Sequence, residues 1–201
     1  MISSSIYFQV KSISTEDLVI NKYKFKRVMA LLPRNVECQI LLSSYHLNGV
    51  EVGKYYYARQ AFLTDSYYPP KEDLTCFTFR VSKNPECCSK DEFDKQLDTV
   101  VRVSAFFSKE YSKGLTLCGL EQIPFYKVLV RSRSEIDKTF KFYLLGFHSK
   151  AETLNNLPPL CYVALTGVVC APSSPWHTRA LSLVSITVRK EVKVHGTVRK
   201  N

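Results

Sequence analysis

The sequence predicts an α+β fold, a mostly antiparallel, twisted β-sheet packed on one long amphipathic helix at about residues 89–111. Three observations carry that expectation. Alternating apolar and polar residues, the period of a half-buried strand, run through most of the chain. One stretch departs from it, with a helix start followed by apolar residues at spacings of three and four. Strands and helix do not alternate, which argues against βαβ units. With 201 residues, 45% hydrophobic and 23% charged, the chain can bury a sizeable core and is not disordered. One domain over 1–201 is expected, with 1–66 as a possible N-terminal β subregion.

The elements follow in order. Ile6, Tyr7, Phe8, Gln9 and Val10 open with a strand pattern. In residues 22–26 three lysines alternate with Tyr23 and Phe25, and after the break at Leu32, Pro33, Arg34 and Asn35 the residues Val36, Cys38, Ile40 and Leu42 share a face. The pair reads as a hairpin, because proline and asparagine suit a chain reversal. Asn48 and Gly49 read as a type I′ turn joining a strand that ends near Tyr45 to one that starts at Val50. Residues 64–73, with Pro69 and Pro70, read as a loop, since proline cannot donate to a ladder. Thr75, Phe77, Phe79 and Val81 alternate as the next strand.

The helix begins at a capping box. Ser89 can accept from the amide three residues on, while Glu92 reaches back. Asp91, Glu92 and Asp94 suit the positive end of the helix dipole. Phe93, Leu97, Val100, Val101, Ser104, Phe107 and Tyr111 make the apolar stripe, and Lys113 with Gly114 makes a fitting end. Strands resume over 123–131, 139–147, 160–170 and 180–194, all rich in β-branched or aromatic residues.

No catalytic signature accompanies this architecture. Glycine-rich phosphate loops are absent from a chain with only 7 glycines. The histidines His46, His148, His177 and His195 lie on separate elements without metal spacing, so neither metal nor cofactor is expected. None of the 7 cysteines forms a C-x₂-C pair, and they read as reduced, buried thiols. A spatial pair of Cys161 or Cys170 with His148 or His177 stays open as a hydrolase alternative. The favoured reading is non-enzymatic. No secretory signal and no apolar run long enough to cross a bilayer are found.

Charge is the main functional material. The chain carries a formal +10. Residues 1–98 hold 13 basic and 12 acidic groups, a net +1, and residues 99–201 hold 15 and 6, a net +9. That asymmetry predicts a polyanionic partner. The expected contact residues are Lys22, Lys24, Lys26 and Arg27, then Arg131, Arg133, Lys138 and Lys141, then Arg189, Lys190, Lys193, Arg199 and Lys200. Interleaved aromatics such as Tyr23, Phe25, Phe140, Phe142 and Tyr143 could stack on single-stranded bases.

A strand near 75–82, a helix over 89–111 and the segment 122–130 containing Pro124, Phe125, Tyr126 and Lys127 together resemble the rhabdovirus matrix protein. That resemblance implies a non-enzymatic viral structural protein of the virion. Such a protein self-associates, condenses the ribonucleoprotein, contacts an anionic membrane surface and resides in the host cytoplasm or at the inner face of a membrane. Its partners would be a viral nucleocapsid or RNA, the membrane and further copies of itself. The alternative is a viral movement or silencing-suppressor protein that binds single-stranded RNA through basic and aromatic residues.

Overall fold

The structure, a computed structural model, describes residues 3–20, 22–64, 76–132, 140–170 and 179–192. Its first half contains β1 (Ser4–Ile20), β2 (Tyr23–Leu32), β3 (Val36–Ser43), β4 (Tyr55–Thr64), β5 (Phe77–Val81) and the short β6 (Glu86–Cys88). The hydrogen-bonded order runs β1, β2, β3, β5, β4, and β4 pairs back onto β1, so the sheet closes into a barrel. The second half contains β7 (Val100–Ser108), β8 (Ser112–Cys118), β9 (Ile123–Ser132), β10 (Phe140–Phe147), β11 (Leu160–Val169) and β12 (Ala180–Glu191). Here the ring runs β7, β9, β10, β12, β11 and back to β7, with β8 added along β9. Both barrels therefore trace the same path: first, second, third, fifth, fourth and again first strand. In each, the third and fifth strands pair in parallel.

Alternation explains the strands. In β2 and β3, Val28, Ala30, Leu32, Val36, Cys38, Ile40 and Leu42 are buried, and Arg34 and Asn35 reverse the chain with φ of 61° and 57°. The expected hairpin thus forms. The strands expected over 123–131, 139–147, 160–170 and 180–194 also form, within a few residues at their ends.

The long helix does not form, and the α+β assignment is corrected to two strand barrels. Its start is right: Ser89 Oγ accepts from the Glu92 amide at 3.1 Å, and the Ser89 amide donates to Glu92 Oε2 at 2.8 Å. The helix α1 (Lys90–Asp94) then stops, and 100–108 becomes β7. The reason is that Val100, Val101, Ser104 and Phe107 fit helical spacing while Val101, Val103, Ala105 and Phe107 fit a period of two. Ladders with β11 on one side and β9 on the other favour the second. Leu97 and Val100 of the expected stripe consequently stand exposed.

The turn at Asn48 and Gly49 also differs. Val50 N–H donates to Leu47 O at 2.9 Å, but only Gly49 of the pair has positive φ, at 83°, so this is not a type I′ turn. It does not join paired strands either, because β3 pairs with β5 and β4 begins only at Tyr55. The loop expected at 64–73 falls outside the described residues except for Thr64, which ends β4.

One hydrophobic cluster continues through both barrels. Phe77 of β5 meets Phe142 of β10 edge-on, with ring centroids 6.0 Å apart. Polar contacts pin the same seam: the Arg102 amide donates to Ser4 Oγ at 3.0 Å, and Arg34 Nη1 lies 3.2 Å from Asp98 Oδ1. A second helix, α2 (Ser149–Asn155), closes one end of the second barrel by burying Ala151 and Leu154. No helix among the described residues is long and apolar enough to cross a membrane.

Candidate functional site

The outer face of the second barrel is built by strand parity. On β9 the side chains of Tyr126, Val128 and Val130 fill the interior, which turns Lys127, Leu129 and Arg131 outward. On β10 the buried Phe142 and Leu144 likewise turn Lys141 and Tyr143 outward. Register then assembles one row across five strands. Lys190 of β12 lies opposite Tyr162 of β11, Tyr162 opposite Phe106 of β7, Phe106 opposite Arg131 of β9, and Arg131 opposite Lys141 of β10. With neighbouring strands about 4.8 Å apart, four intervals make the row about 19 Å long.

Cations and rings are interleaved along it. The rings of Phe106 and Tyr162 lie 5.2 Å apart, and Tyr162 is 50% exposed. Arg131 Cζ sits 4.7 Å from the ring centroid of Tyr111, which the turn Lys109–Tyr111 carries over β9. Two outward positions along β9 from Arg131, Lys127 Nζ lies 3.8 Å from the centroid of Tyr143. Burial holds the Lys127 ammonium below the usual lysine range, and the charge of Lys113 adds to that effect. Past this pair the face turns apolar, with Phe125 and Phe147 rings 5.1 Å apart beside Leu145 and Ala180. The arrangement suits a ligand that offers anions and flat rings together.

The expected contact residues divide. Arg131, Lys141 and Lys190 come together in the row, while Arg189 falls at the register irregularity beside it. Lys22 occupies the exposed turn between β1 and β2. Lys26 Nζ lies 2.9 Å from Asp17 Oδ1 and Lys24 Nζ lies 4.0 Å from Asp17 Oδ2, so their charge is partly spent within the chain. The side-chain hydrogen bond from Lys26 holds the Asp17 carboxyl below the usual carboxylate range. Arg27 is half-buried on β2 opposite Leu41. Arg133, Lys138, Lys193, Arg199 and Lys200 lie outside the described residues. Sequence reasoning did not single out Phe106, Tyr111, Lys127 and Tyr162, which the structure places in or beside the row. Parity along 160–169 was the signal for Tyr162, and the misread helix hid Phe106 and Tyr111.

Cys161 is fully buried and its thiol donates to Pro158 O at 3.9 Å, while Cys170 donates to Val168 O at 3.7 Å. Burial raises both thiols. His177, one of the histidines considered with them, lies outside the described residues. Among the described residues no group of three or more His, Cys, Asp or Glu side chains is placed to hold a metal ion.

No family model and no curated protein matches the sequence. Solved structures do match the fold. The wild-type single-stranded DNA binding protein from Thermus aquaticus superposes with a TM-score of 0.64 at 7% identity, over 96% of this chain and 95% of that one. A deletion variant of that protein gives 0.61 at 6% identity, over 97% and 98%. The chain is a pair of OB-fold barrels. At such identity the likeness establishes the architecture alone, and it spans both barrels. The barrel path described above is the five-stranded Greek-key closure of that fold.

The OB fold overturns the resemblance to a viral matrix protein, and with it the virion and matrix assignments. That resemblance needed a helix between two strands, and the segment is instead the first strand of a barrel. Pro124 to Lys127 merely opens β9, where the chain alternates between the barrel wall and its outer face.

Proposed function

We propose that this protein binds single-stranded nucleic acid on the outer face of its second barrel and catalyses no reaction there. The observation that carries the reading is the row Lys190, Tyr162, Phe106, Arg131 and Lys141, flanked by Lys127 over Tyr143. Exposed rings on a cationic groove are what an unpaired strand requires, because each base has a π-face to stack and each nucleotide a phosphate to neutralise. A duplex hides its bases from such rings. Supporting this, residues 99–201, the part of the sequence that contains the row, carry a net +9. The OB fold adds weight, as it commonly uses this side of its sheet for oligonucleotides, and the superposed Thermus aquaticus protein is a single-stranded DNA binding protein.

Fluorescence anisotropy with labelled oligo(dT), oligo(U) and a duplex of equal length tests the reading. Single strands should bind at least tenfold more tightly than the duplex, and R131A/K141A/K190A should weaken them by more than tenfold. Equal affinity for oligo(dT) and oligo(U) would agree with recognition by stacking and charge. No single-strand binding at low salt, or an unaltered triple variant, would remove the proposal.

A further inference from the structure

The two barrels follow one path, so each position in the row has a counterpart in the first barrel, and there the chemistry is different. Arg131 is the last residue but one of β9, as Leu31 is of β2. Lys141 is the second residue of β10, as Glu37 is of β3. The corresponding cross-strand row in the first barrel reads Cys88, Tyr55, Gln9, Leu31 and Glu37. It contains no cation and one carboxylate.

Its aromatic member is also engaged. Tyr55 Oη accepts from Gln9 Nε2 at 3.2 Å, and the Tyr55 ring lies 5.0 Å from Phe93 of α1. Farther along the same face, Leu41 points outward from β3 yet is fully buried, packed with Ile20 and Phe25 of the β1–β2 ribbon. Gln39 and Thr78, also outward, bond to each other at 3.3 Å, and Thr78 is 0% exposed. The lysines nearby on β2 already face Asp17. The matching positions of the second barrel, Leu145 and Ala180, are buried as well, so the two faces differ at the row itself, which in the second barrel is cationic and aromatic.

We infer that the chain carries one strand-binding barrel, the second, and that the first is a closed module that takes no nucleic acid on the matching face. This rests on the function proposed above and adds its footprint. A row of about 19 Å on one barrel holds a short segment, within the roughly 4 to 16 nucleotides typical of a single OB fold. Two working barrels would hold about twice that.

The experiment is a length series of oligo(dT), from 4 to 40 nucleotides, titrated with the full chain, followed by stoichiometry on the 40-mer. Affinity should level off by about 16 nucleotides, with several chains on each 40-mer. K22A/K24A should shift affinity less than twofold. L31R/E37K, which copies the cations of the second barrel into the first, should extend the length dependence beyond that plateau or raise affinity severalfold. A wild-type affinity that climbs steadily to about 30 nucleotides would overturn the inference while leaving strand binding intact. So would R131A/K141A/K190A retaining a second, full-strength site. Absence of binding at every length would instead remove the strand-binding reading on which this rests.

Discussion

Replacing Arg131 tests the site most sharply, because its guanidinium lies in the row between Phe106 and Lys141 and also stacks on Tyr111. Four cations line the face: Lys127, Arg131, Lys141 and Lys190. If each neutralises one phosphate, the logarithm of affinity should fall with the logarithm of salt at a slope of about −2.8, from roughly −0.7 per contact on single strands. Between 50 and 200 mM salt that is about a fiftyfold loss. R131A leaves three contacts, so the slope should relax to about −2.1 and the loss to about eighteenfold. R131K separates charge from stacking. It keeps the slope, but a compact ammonium does not reproduce the flat guanidinium over Tyr111, so affinity should fall severalfold with the slope near −2.8. The assay is anisotropy of labelled oligo(dT) at four salt concentrations. A slope near zero, or one that R131A does not change, would refute the reasoning even if the protein binds DNA.

Two further predictions concern what holds the site in place. Gly146 lies on β10 beneath α2, where an added Cβ would fall 2.8 Å from both Leu154 Cδ1 and the Lys150 carbonyl oxygen. G146A should therefore cost about 1–3 kcal/mol by overpacking, a drop in Tm of roughly 2–12 °C by thermal melt, and an unchanged Tm would mean that α2 is not packed there. Because one core cluster crosses the seam and Phe77 meets Phe142 there, the chain should unfold in urea as a single domain with one transition. Tyrosine fluorescence and far-ultraviolet circular dichroism should give coincident midpoints, and F142A should lower both together; two separated transitions would contradict this.

Much of the strand content was legible because parity is local. Val36, Cys38, Ile40 and Leu42 advertise a buried face within eight residues, and the core agrees. The segment at 100–108 was not, because its apolar residues satisfy two periods at once and the capping box at Ser89 weighs toward a helix. What decides it is β11, whose partner residues lie some 60 positions farther on, as in Ala164 opposite Ser104. Barrel closure was hidden for the same reason. Charge singles out Arg131, Lys141 and Lys190 as cations to weigh, but only register places them in line. Charge alone does not show that Lys24 and Lys26 face Asp17, since the ladder that sets Asp17 opposite Lys26 is itself irregular between Ile13 and Asp17.

That the two barrels share a path without a visible sequence repeat has a physical basis. Closure asks only for inward apolar residues, turns of adequate length and a parallel pairing of the third and fifth strands. Leucine, valine, isoleucine and phenylalanine can exchange at the inward positions at little cost to the path. The outward positions are free of that requirement, so they can diverge completely, and here they have: Arg131 against Leu31, Lys141 against Glu37, Phe106 against Gln9. Fold likeness at 7% identity therefore speaks for the inward half of each strand. The proposed function rests on the outward half, where cations and aromatic rings line up across five strands of the second barrel.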